Sequence, residues 1–119
     1  MNLKNKIGRF GQQLAANYFL AHGYKVLAEN FYTQAGEIDL ILEKDNQLIF
    51  VEVKTRLSEK FGLPEEAIDA NKKEKLYSAG LKYLELNNVE NDNFRFDCLA
   101  VLINKEEKKA LIRHHKNIY

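Results

Sequence analysis

Two acidic residues and a lysine stand close together in one apolar stretch, residues 36–56, which reads GEIDLILEKDNQLIFVEVKTR. Asp39 lies in the first apolar run of this stretch, and Glu52 and Lys54 lie in the second. Carboxylates on rigid strands are the hard oxygen ligands that Mg²⁺ prefers, and a nearby lysine can offset negative charge. These three residues are therefore candidates for a divalent-metal site.

Two strands joined by a tight turn would bring these side chains together. Apolar residues alternate with others on both sides of Asp45-Asn46, and both residue types tolerate the left-handed backbone of a hairpin turn. The turn of a hairpin fixes the register of its strands. Counting outward from the dipeptide predicts three cross-strand pairs, which are Ile41 with Phe50, Asp39 with Glu52, and Glu37 with Lys54.

Both faces of the predicted hairpin are largely apolar, which is typical of a buried central hairpin. The acids and Lys54 share one face with Ile41 and Phe50. The other face is predicted to hold Ile38, Leu40, Leu42, Ile49, Val51 and Val53. Opposed side chains lie about 5 Å apart, and two carboxylates at that distance repel by roughly 3 kcal/mol at an effective dielectric constant of about 20. Either a divalent cation or Lys54 alone must compensate this repulsion.

Further elements must cover the hairpin, and apolar periodicity predicts them in the order helix, three strands, helix, two strands. The predicted bounds are a helix over residues 3–22, a strand over 24–32, the two hairpin strands, a helix over 65–86, and strands over 94–103 and 110–115. This order predicts an α/β fold in which one mixed five-stranded sheet is flanked by helices. A helix joins the third and fourth strands, so these two are expected to run parallel.

Apolar spacing also predicts which side of each helix is buried. The predicted stripe of the first helix is Ile7, Phe10, Leu14, Tyr18 and Ala21. The predicted stripe of the second is Leu76, Ala79, Gly80, Tyr83 and Leu84. Gln12 falls at the edge of the first stripe, where its polar tip can reach a neighbouring site. A loop is predicted over residues 57–63, and an irregularity near residues 69–71 of the second helix.

Length and composition indicate one globular domain over residues 1–119, with 45% hydrophobic and 29% charged residues. A net charge of +1 excludes a strongly basic, histone-like binder but is compatible with a local basic patch. The single cysteine, Cys98, rules out an internal disulfide framework. No apolar run is long enough for a membrane span, and the first residues lack a signal-peptide core. We therefore expect a cytoplasmic protein without a membrane partner.

The hairpin also carries a recognisable pair of motifs. An acidic residue late in one strand, followed by Glu-x-Lys on the next, resembles the active-site signature of the restriction-endonuclease-like nuclease superfamily. Asp39 is the acid here, and Glu52-Val53-Lys54 is the second motif. Further motifs extend the likeness over nearly the whole chain, and these are Gly11, Gly23-Tyr24, Gly36 to Leu40, Phe50 to Arg56, Lys72 and Arg95-Phe96-Asp97. Together they resemble the YraN family of small bacterial proteins, predicted endonucleases similar in fold to archaeal Holliday-junction resolvases.

The resemblance implies a site for one or two Mg²⁺ or Mn²⁺ ions. The implied ligands are the carboxylates of Asp39 and Glu52 and the backbone carbonyl of Val53, and Lys54 would orient the attacking water. The residues implied to contact the nucleic-acid backbone are Thr55, Arg56 and Lys72. Arg56 and Lys72 have an alternative interpretation as solvated surface charges.

Gln12 departs from the family pattern. YraN relatives commonly carry glutamate after the glycine that matches Gly11, and related resolvases use a first-helix glutamate to complete the metal site. A neutral amide is a weaker magnesium ligand than a carboxylate, because Mg²⁺ favours hard, charged oxygen. Gln12 is therefore either a further ligand, through its oxygen or a bound water, or a sign that hydrolysis has been lost.

Two more acids are candidates for a place beside the metal ligands. Glu37 either lies next to the metal ligands without binding the metal itself, or it neutralises Lys54 across the strands. The predicted pairing of Glu37 with Lys54 favours neutralisation. Asp97 shares a strand face with Arg95 and Leu99. It either supports the metal site or makes a buried structural hydrogen bond, and the hydrogen bond is the favoured interpretation.

These observations lead to two principal hypotheses of function. The first is a magnesium-dependent endonuclease that hydrolyses phosphodiester bonds in branched or structured DNA, with a homodimer as the assembly expected for cutting two strands. The second is a catalytically weak or inactive nucleic-acid-binding module of the same fold, in which the acids are structural. A protein-interaction scaffold without nucleic acid is a third interpretation, because the net charge is close to neutral.

Overall fold

The computed structural model describes residues 3–57, 62–90 and 92–119. Its elements are α1 (Leu3–Ala21), β1 (Lys25–Tyr32), β2 (Glu37–Lys44), β3 (Gln47–Arg56), a 3₁₀ helix (Pro64–Ala67), α2 (Ala70–Leu86), β4 (Phe94–Asn104) and β5 (Lys109–His115). Residues 58–61 of the loop predicted over 57–63 lie outside the described part of the chain. No helix among the described residues combines the length and apolar character that crossing a membrane requires.

The five strands form one mixed sheet in the order β1-β2-β3-β4-β5. Neighbouring strands are antiparallel except β3 and β4, which run parallel. The parallel pair follows from the connection through α2, because a chain must cross over the sheet to re-enter it in the same direction. This confirms the predicted fold class, a single α/β domain with a five-stranded mixed sheet flanked by helices, of the restriction-endonuclease-like type.

Each face of the sheet buries one apolar cluster beneath one helix. The cluster under α1 includes Phe19, Leu40, Leu42, Ile49, Val51 and Leu99. The cluster under α2 includes Ile38, Ile41, Phe50, Leu76, Ala79 and Phe96. The hairpin of β2 and β3 contributes to both clusters, which confirms that it is the buried centre of the fold.

The hairpin turn is the one that the sequence predicts. Asp45 and Asn46 have φ angles of 52° and 64°, so both adopt the left-handed backbone of a two-residue turn. Ile41 lies opposite Phe50, as counted from this turn. The predicted register is therefore confirmed over the part of the hairpin next to the turn.

The helix predicted over residues 65–86 is two elements. Pro64–Ala67 forms the 3₁₀ helix, and α2 begins only at Ala70. Asp69 caps α2, because its Oδ1 accepts a hydrogen bond of 2.9 Å from the backbone N–H of Lys72. The break explains the predicted irregularity, and the predicted stripe of α2 is confirmed with Tyr83 only partly buried.

The predicted stripe of α1 is wrong at Phe10, whose side chain is 55% exposed, and at Ala21, which is also exposed. Phe19 is fully buried instead, on a stripe that runs through Gly11 and Ala15. A Cβ built on Gly11 would lie 2.7 Å from Cβ and Cγ2 of Thr55 and closer still to its Oγ1. The helix therefore approaches β3 along its glycine, which rotates Phe10 away from the sheet.

Gly11→Ala is expected to destabilise the fold by roughly 1–3 kcal/mol, because the added methyl group must displace Thr55 or the helix. Gly8→Ala is the matched control on the same helix, since a Cβ there meets no atom within 4 Å. Alanine in an open helical position is expected to stabilise by up to about 1 kcal/mol. Urea unfolding of both variants measures the difference, and equal effects would contradict the close approach at Gly11.

An irregularity in β1 and β2 lies next to the candidate acids. The pairing of β1 with β2 shifts by one residue between Val26 and Ala28, and Asn30 is left-handed with φ of 53°. Ile38 packs under α2, whereas Leu40 packs under α1, so the prediction that they share a face is wrong. Strict two-residue alternation is interrupted at the residue between them, Asp39.

Candidate functional site

The hairpin opens at the end that carries the acids. Backbone pairing between β2 and β3 runs from the turn to Leu40 with Val51 and stops there. Beyond that point β2 remains paired with β1, and β3 remains paired with β4. The predicted backbone pairs of Asp39 with Glu52 and of Glu37 with Lys54 are therefore wrong.

Asp39 occupies the opening between the two strands. Its Oδ2 accepts a hydrogen bond of 2.8 Å from the backbone N–H of Val53. The carboxylate thus replaces the backbone carbonyl that would accept this bond in a regular sheet. Among the described residues, no protein donor bonds its other oxygen, Oδ1. The carboxylate is thus fixed by one oxygen while the other is available to a cation or water.

A cleft of about 700 Å³ lies over this opening, between α1 and the strands. It brings together all the main candidates from the sequence, since its walls include Asp39, Glu52, Val53, Lys54, Glu37 and Gln12. Gln12 comes from α1, and the close approach of the preceding Gly11 to Thr55 explains why that helix reaches the strands here. These residues therefore meet in one cleft, although Asp39 and Glu52 are not paired through their backbones.

The electrostatics of Asp39 indicate uncompensated negative charge. Burial raises the pKa of Asp39 to about 7, and the negative charge of Glu52 adds to the rise. The hydrogen bond from Val53 and the charge of Lys54 act in the opposite direction without offsetting it. A carboxyl group with this pKa is only partly ionised at neutral pH, so a bound cation would supply charge that the protein lacks.

Lys54 forms its ion pair with Glu52 on its own strand. Lys54 Nζ lies 3.3 Å from Glu52 Oε1, and the two side chains are 16% and 18% exposed. The prediction that Glu37 neutralises Lys54 across the strands is therefore wrong. Glu37 is exposed and lines the same cleft, which leaves it close to the acids as a further negative charge.

Lys72, near the start of α2, lies against Lys54. Burial alone would lower the pKa of Lys54, but a hydrogen bond with Lys72 and the charge of Glu52 outweigh it and raise this pKa. The same hydrogen bond with Lys54, together with burial, lowers the pKa of Lys72. The two amino groups are thus close enough for each to change the pKa of the other.

Thr55 and Arg56 lie beside the acidic cleft rather than in it. They line an adjoining cleft of about 400 Å³, which shares Gly8, Val53 and Lys54 with the first. Arg56 is exposed, and its guanidinium donates a hydrogen bond of 3.0 Å to the carbonyl of Thr55. The two clefts form one path along the end of β3.

Some residues in the cleft were not among the sequence candidates. Arg9 and Asn5 line it from α1, and Tyr32, Glu29 and Asn30 line it from β1. Arg9 stands three residues before Gln12, and this helical spacing is a signal that places both on one face. The β1 residues carried no such signal, because their position depends on the irregular backbone at Asn30.

The ligand set suits a magnesium ion that keeps part of its water shell. Within the described ranges, no group of three or more histidine, cysteine, aspartate or glutamate side chains is arranged to hold a metal. Two carboxylates and neutral oxygens are nevertheless what Mg²⁺ commonly uses, since substrate phosphates and waters complete its shell. The acidic side chains of the cleft outnumber the basic ones, Glu29, Glu37, Asp39 and Glu52 against Arg9 and Lys54.

Asp97 lies outside the cleft, in a buried hydrogen-bonding network. Its side chain is 0% exposed and accepts bonds of 3.0 Å from Arg95 Nε and 2.9 Å from the backbone N–H of Asn117. His114 Nε2 lies 2.7 Å from its Oδ2. Burial alone would raise the pKa of Asp97, but these partners outweigh it and lower this pKa. The geometry agrees with the favoured structural interpretation.

Glu65 joins the 3₁₀ helix to the edge strand β5. Arg113 donates two hydrogen bonds of 2.8 Å to its two oxygens, and His115 Nε2 lies 2.8 Å from Oε2. The bonds from Arg113, supported by His115, lower the pKa of Glu65 to about 2. Glu65, Arg113 and His115 are not among the residues that line the acidic cleft.

The Glu65 cluster predicts an acid-dependent loss of stability. A carboxyl group whose pKa is lower in the folded state stabilises the fold above its unfolded pKa and loses this contribution as pH falls through the folded value. Glu65→Gln is therefore expected to be less stable than the unaltered chain at pH 7, and the gap should close between about pH 5 and pH 2. Urea unfolding across this range measures the gap, with exposed Glu66→Gln as the matched control. A gap that is constant with pH would contradict the assignment.

Comparison with other proteins gives a consistent result over most of the chain. The sequence profile of the uncharacterised protein family UPF0102 matches residues 11–101. A UPF0102 protein of Syntrophomonas wolfei is 40% identical over 117 residues, which cover 98% of this chain and 100% of the relative. A UPF0102 protein of Caldanaerobacter subterraneus is 43% identical over 104 residues, covering 87% and 85% respectively. A UPF0102 protein of Clostridium novyi is 31% identical over 118 residues, covering 99% and 98%.

Proposed function

The chain belongs to the uncharacterised protein family UPF0102, the YraN family that its motifs resemble, and from this premise we propose that it is a metal-dependent DNA endonuclease. The proposed reaction is hydrolysis of phosphodiester bonds in branched or structured DNA. A homodimer is the proposed assembly, because cutting two strands of a branched substrate takes two sites. The restriction-endonuclease-like fold is compatible with this chemistry but does not by itself establish it.

One observation carries the proposal. Asp39 and Glu52 line one cleft, and burial and mutual repulsion raise the pKa of Asp39 to about 7. Folded proteins avoid such an arrangement unless another charge compensates it. Lys54 lies beside Glu52 but leaves the pKa of Asp39 raised. A divalent cation at the acids is the simplest way to complete the charge.

The proposed ligands are the side chains of Asp39 and Glu52, with the backbone carbonyl of Val53 and the amide oxygen of Gln12 as neutral ligands. Mg²⁺ or Mn²⁺ held there would polarise a phosphoryl oxygen and lower the pKa of a bound water. Asp39 is well prepared as a ligand, because the bond from Val53 fixes one oxygen and the other accepts no bond from the described residues. One or two ions are compatible with this ligand set.

The protein groups beside the acids have a separate role. Protonated Lys54 would hydrogen-bond the attacking water or a non-bridging oxygen and offset the negative charge that develops in the transition state. Lys72, whose side chain lies near that of Lys54, would contact an adjacent phosphate. Thr55 and Arg56 would contact the backbone farther along the path, where the adjoining cleft begins.

The proposal is tested with purified protein on a four-way junction, a single strand and a linear duplex, each in Mg²⁺, Mn²⁺ or EDTA. Cleavage is expected with either metal and not in EDTA, with the linear duplex as the poorest substrate. Lys54→Ala is expected to slow cleavage strongly. Cleavage that persists in full in this variant would identify a contaminating nuclease. Absence of cleavage on every substrate would reject the endonuclease.

Gln12 supports a second candidate function, a nucleic-acid-binding module with weak or no catalysis. The amide contributes no charge to a site in which only two acids are proposed as ligands. Binding by such a module would weaken steeply with salt and be indifferent to magnesium. Gln12→Glu separates the two functions, because a third carboxylate should strengthen magnesium binding in either case but speed cleavage only in a nuclease.

A further inference from the structure

Tyr32 is the most exposed of the large apolar and aromatic side chains among the described residues, at 70%. It ends β1 and pairs with Glu37, so it stands on the rim of the acidic cleft. A second cleft, of about 640 Å³, begins on the other side of Tyr32. The phenol ring is therefore a ridge between the proposed site of hydrolysis and a neighbouring cavity.

The backbone beneath this ring is held firmly. Thr33, the next residue, accepts hydrogen bonds at Oγ1 from the backbone N–H groups of Ala35 (3.1 Å) and Gly36 (3.0 Å). Its hydroxyl also donates to the carbonyl of Gly36 at 2.8 Å. A Cβ on Gly36 would lie 3.0 Å from the carbonyl oxygen of Lys75, so this turn rests directly on α2. The exposed ring therefore precedes a turn whose backbone is well packed.

The other aromatic side chains near the site are occupied by the core. Phe19 and Tyr24 contact each other under α1, with ring centroids 5.0 Å apart. Phe31, which precedes Tyr32, packs against Tyr83 at 5.3 Å under α2. Tyr32 makes no ring contact among the described residues. Its flat face remains available to a ligand that approaches the acids.

The second cleft has the lining that a nucleobase requires. Leu81 and Leu86 supply apolar surface, and both are exposed. Ser78 and Gln34 supply hydrogen-bonding groups, and Lys82 and Glu85 form an ion pair of 3.7 Å in the same lining. Ligand pockets for flat organic groups combine these features, an apolar wall with a few polar atoms that fix orientation.

We propose that Tyr32 stacks on an unpaired base next to the phosphate at Asp39 and Glu52, and that the neighbouring cleft receives this base. The substrate class is then DNA with unpaired nucleotides, such as a single strand or the open part of a branch. This inference rests on the proposed function, because it places a nucleic acid in the acidic cleft. It adds a binding residue that selects the shape of that substrate.

Duplex DNA cannot use such a platform without a cost. Its bases are already stacked and paired, so presenting one to Tyr32 requires flipping it out of the helix. An unpaired base has no such cost, and stacking on an aromatic side chain contributes about 1–3 kcal/mol per base. Tyr32 therefore favours unpaired over paired substrates through differential binding.

The test is equilibrium binding of three fluorescein-labelled DNAs, a short single strand, the blunt duplex that contains it, and a duplex with a single-stranded gap. Calcium replaces magnesium, since it occupies oxygen sites in a looser geometry, and anisotropy reports affinity without turnover. Tyr32→Ala is expected to weaken binding of the single strand and the gapped duplex by roughly tenfold or more and to leave the blunt duplex unchanged. Tyr32→Phe should retain full affinity, because the ring is kept.

Phe10→Ala is the matched control, because Phe10 is also an exposed aromatic but lies in neither cleft. Its affinity for all three DNAs should equal that of the unaltered chain. Equal losses on single strand and blunt duplex in Tyr32→Ala, or no loss on either, would overturn the stacking role while leaving the endonuclease standing. No binding of any DNA by the unaltered chain would instead overturn the proposed function and this inference together. Circular dichroism of Tyr32→Ala confirms that a loss does not come from unfolding.

Discussion

A chain in which glutamine replaces Glu52 is expected to cleave DNA on the order of a thousandfold more slowly than the unaltered chain. Glutamine keeps the volume of the side chain but removes its charge. Only one carboxylate ligand, Asp39, then remains for a divalent cation. The loss of charge should therefore affect metal binding far more than it affects folding.

Stability provides a second readout for this variant. Magnesium is expected to raise the unfolding temperature of the unaltered chain, because a cation that binds only the folded state stabilises it. The same ion should give little or no rise in Glu52→Gln. In the absence of metal the variant should remain close in stability to the unaltered chain near neutral pH, since the repulsion by Glu52 that adds to the effect of burial on the pKa of Asp39 is gone. The loss of the largely buried ion pair between Glu52 and Lys54 acts in the opposite direction.

Glu43→Gln is the matched control for Glu52→Gln. Glu43 is an acid of the same hairpin, next to the turn and outside the cleft. Its cleavage rate and its response to magnesium should remain those of the unaltered chain. If Glu52→Gln cleaves within a few fold of the unaltered rate, or keeps the full thermal response to magnesium, Glu52 is not a metal ligand.

Asp97→Asn is expected to lower the free energy of unfolding by about 3–5 kcal/mol, which is the largest stability effect predicted for this chain. The buried carboxylate compensates Arg95, whose guanidinium is 19% exposed. Asparagine leaves that cation without its counter-charge and turns an N–H group toward other donors. Arg95 also donates to Gln47 Oε1 (2.8 Å) and to the Tyr24 hydroxyl (3.1 Å), so the loss also affects β3 and the connection between α1 and β1.

Urea unfolding at pH 7 measures the effect, with Asp45→Asn in the hairpin turn as the control. Because the pKa of Asp97 is lowered in the folded state, its contribution is present above the unfolded pKa and is lost as pH falls through the folded value. The difference between Asp97→Asn and the unaltered chain should therefore narrow in acid. A loss below about 1 kcal/mol at pH 7 would show that the network is not a stabilising one.

The sequence was sufficient for the topology of the sheet and for the prediction that the main candidate residues lie close together. Alternating apolar residues around Asp45-Asn46 gave the hairpin and its register next to the turn. The helix between the third and fourth strands gave their parallel pairing. Asp39, Glu52 and Lys54 do line one cleft, because an error in local pairing did not move them to another end of the sheet.

The alternation of apolar residues could not predict that the hairpin opens next to Asp39. Alternation treats a strand as a straight ladder, and it does not indicate that the Asp39 carboxylate accepts the Val53 N–H in place of a backbone carbonyl. The left-handed backbone at Asn30 was equally hidden, because asparagine adopts it only at some positions. The exposure of Phe10 followed from the approach of Gly11 to Thr55, a contact between elements that periodicity within one helix does not contain.

The irregular β1 strand has one more consequence, for association between copies of the chain. β1 is an edge of the sheet, and an unbroken edge offers free backbone groups to a strand of a neighbouring molecule. The one-residue shift between Val26 and Ala28 and the reversed backbone at Asn30 interrupt that row. The distortion beside Asp39 therefore also protects this edge against edge-to-edge aggregation.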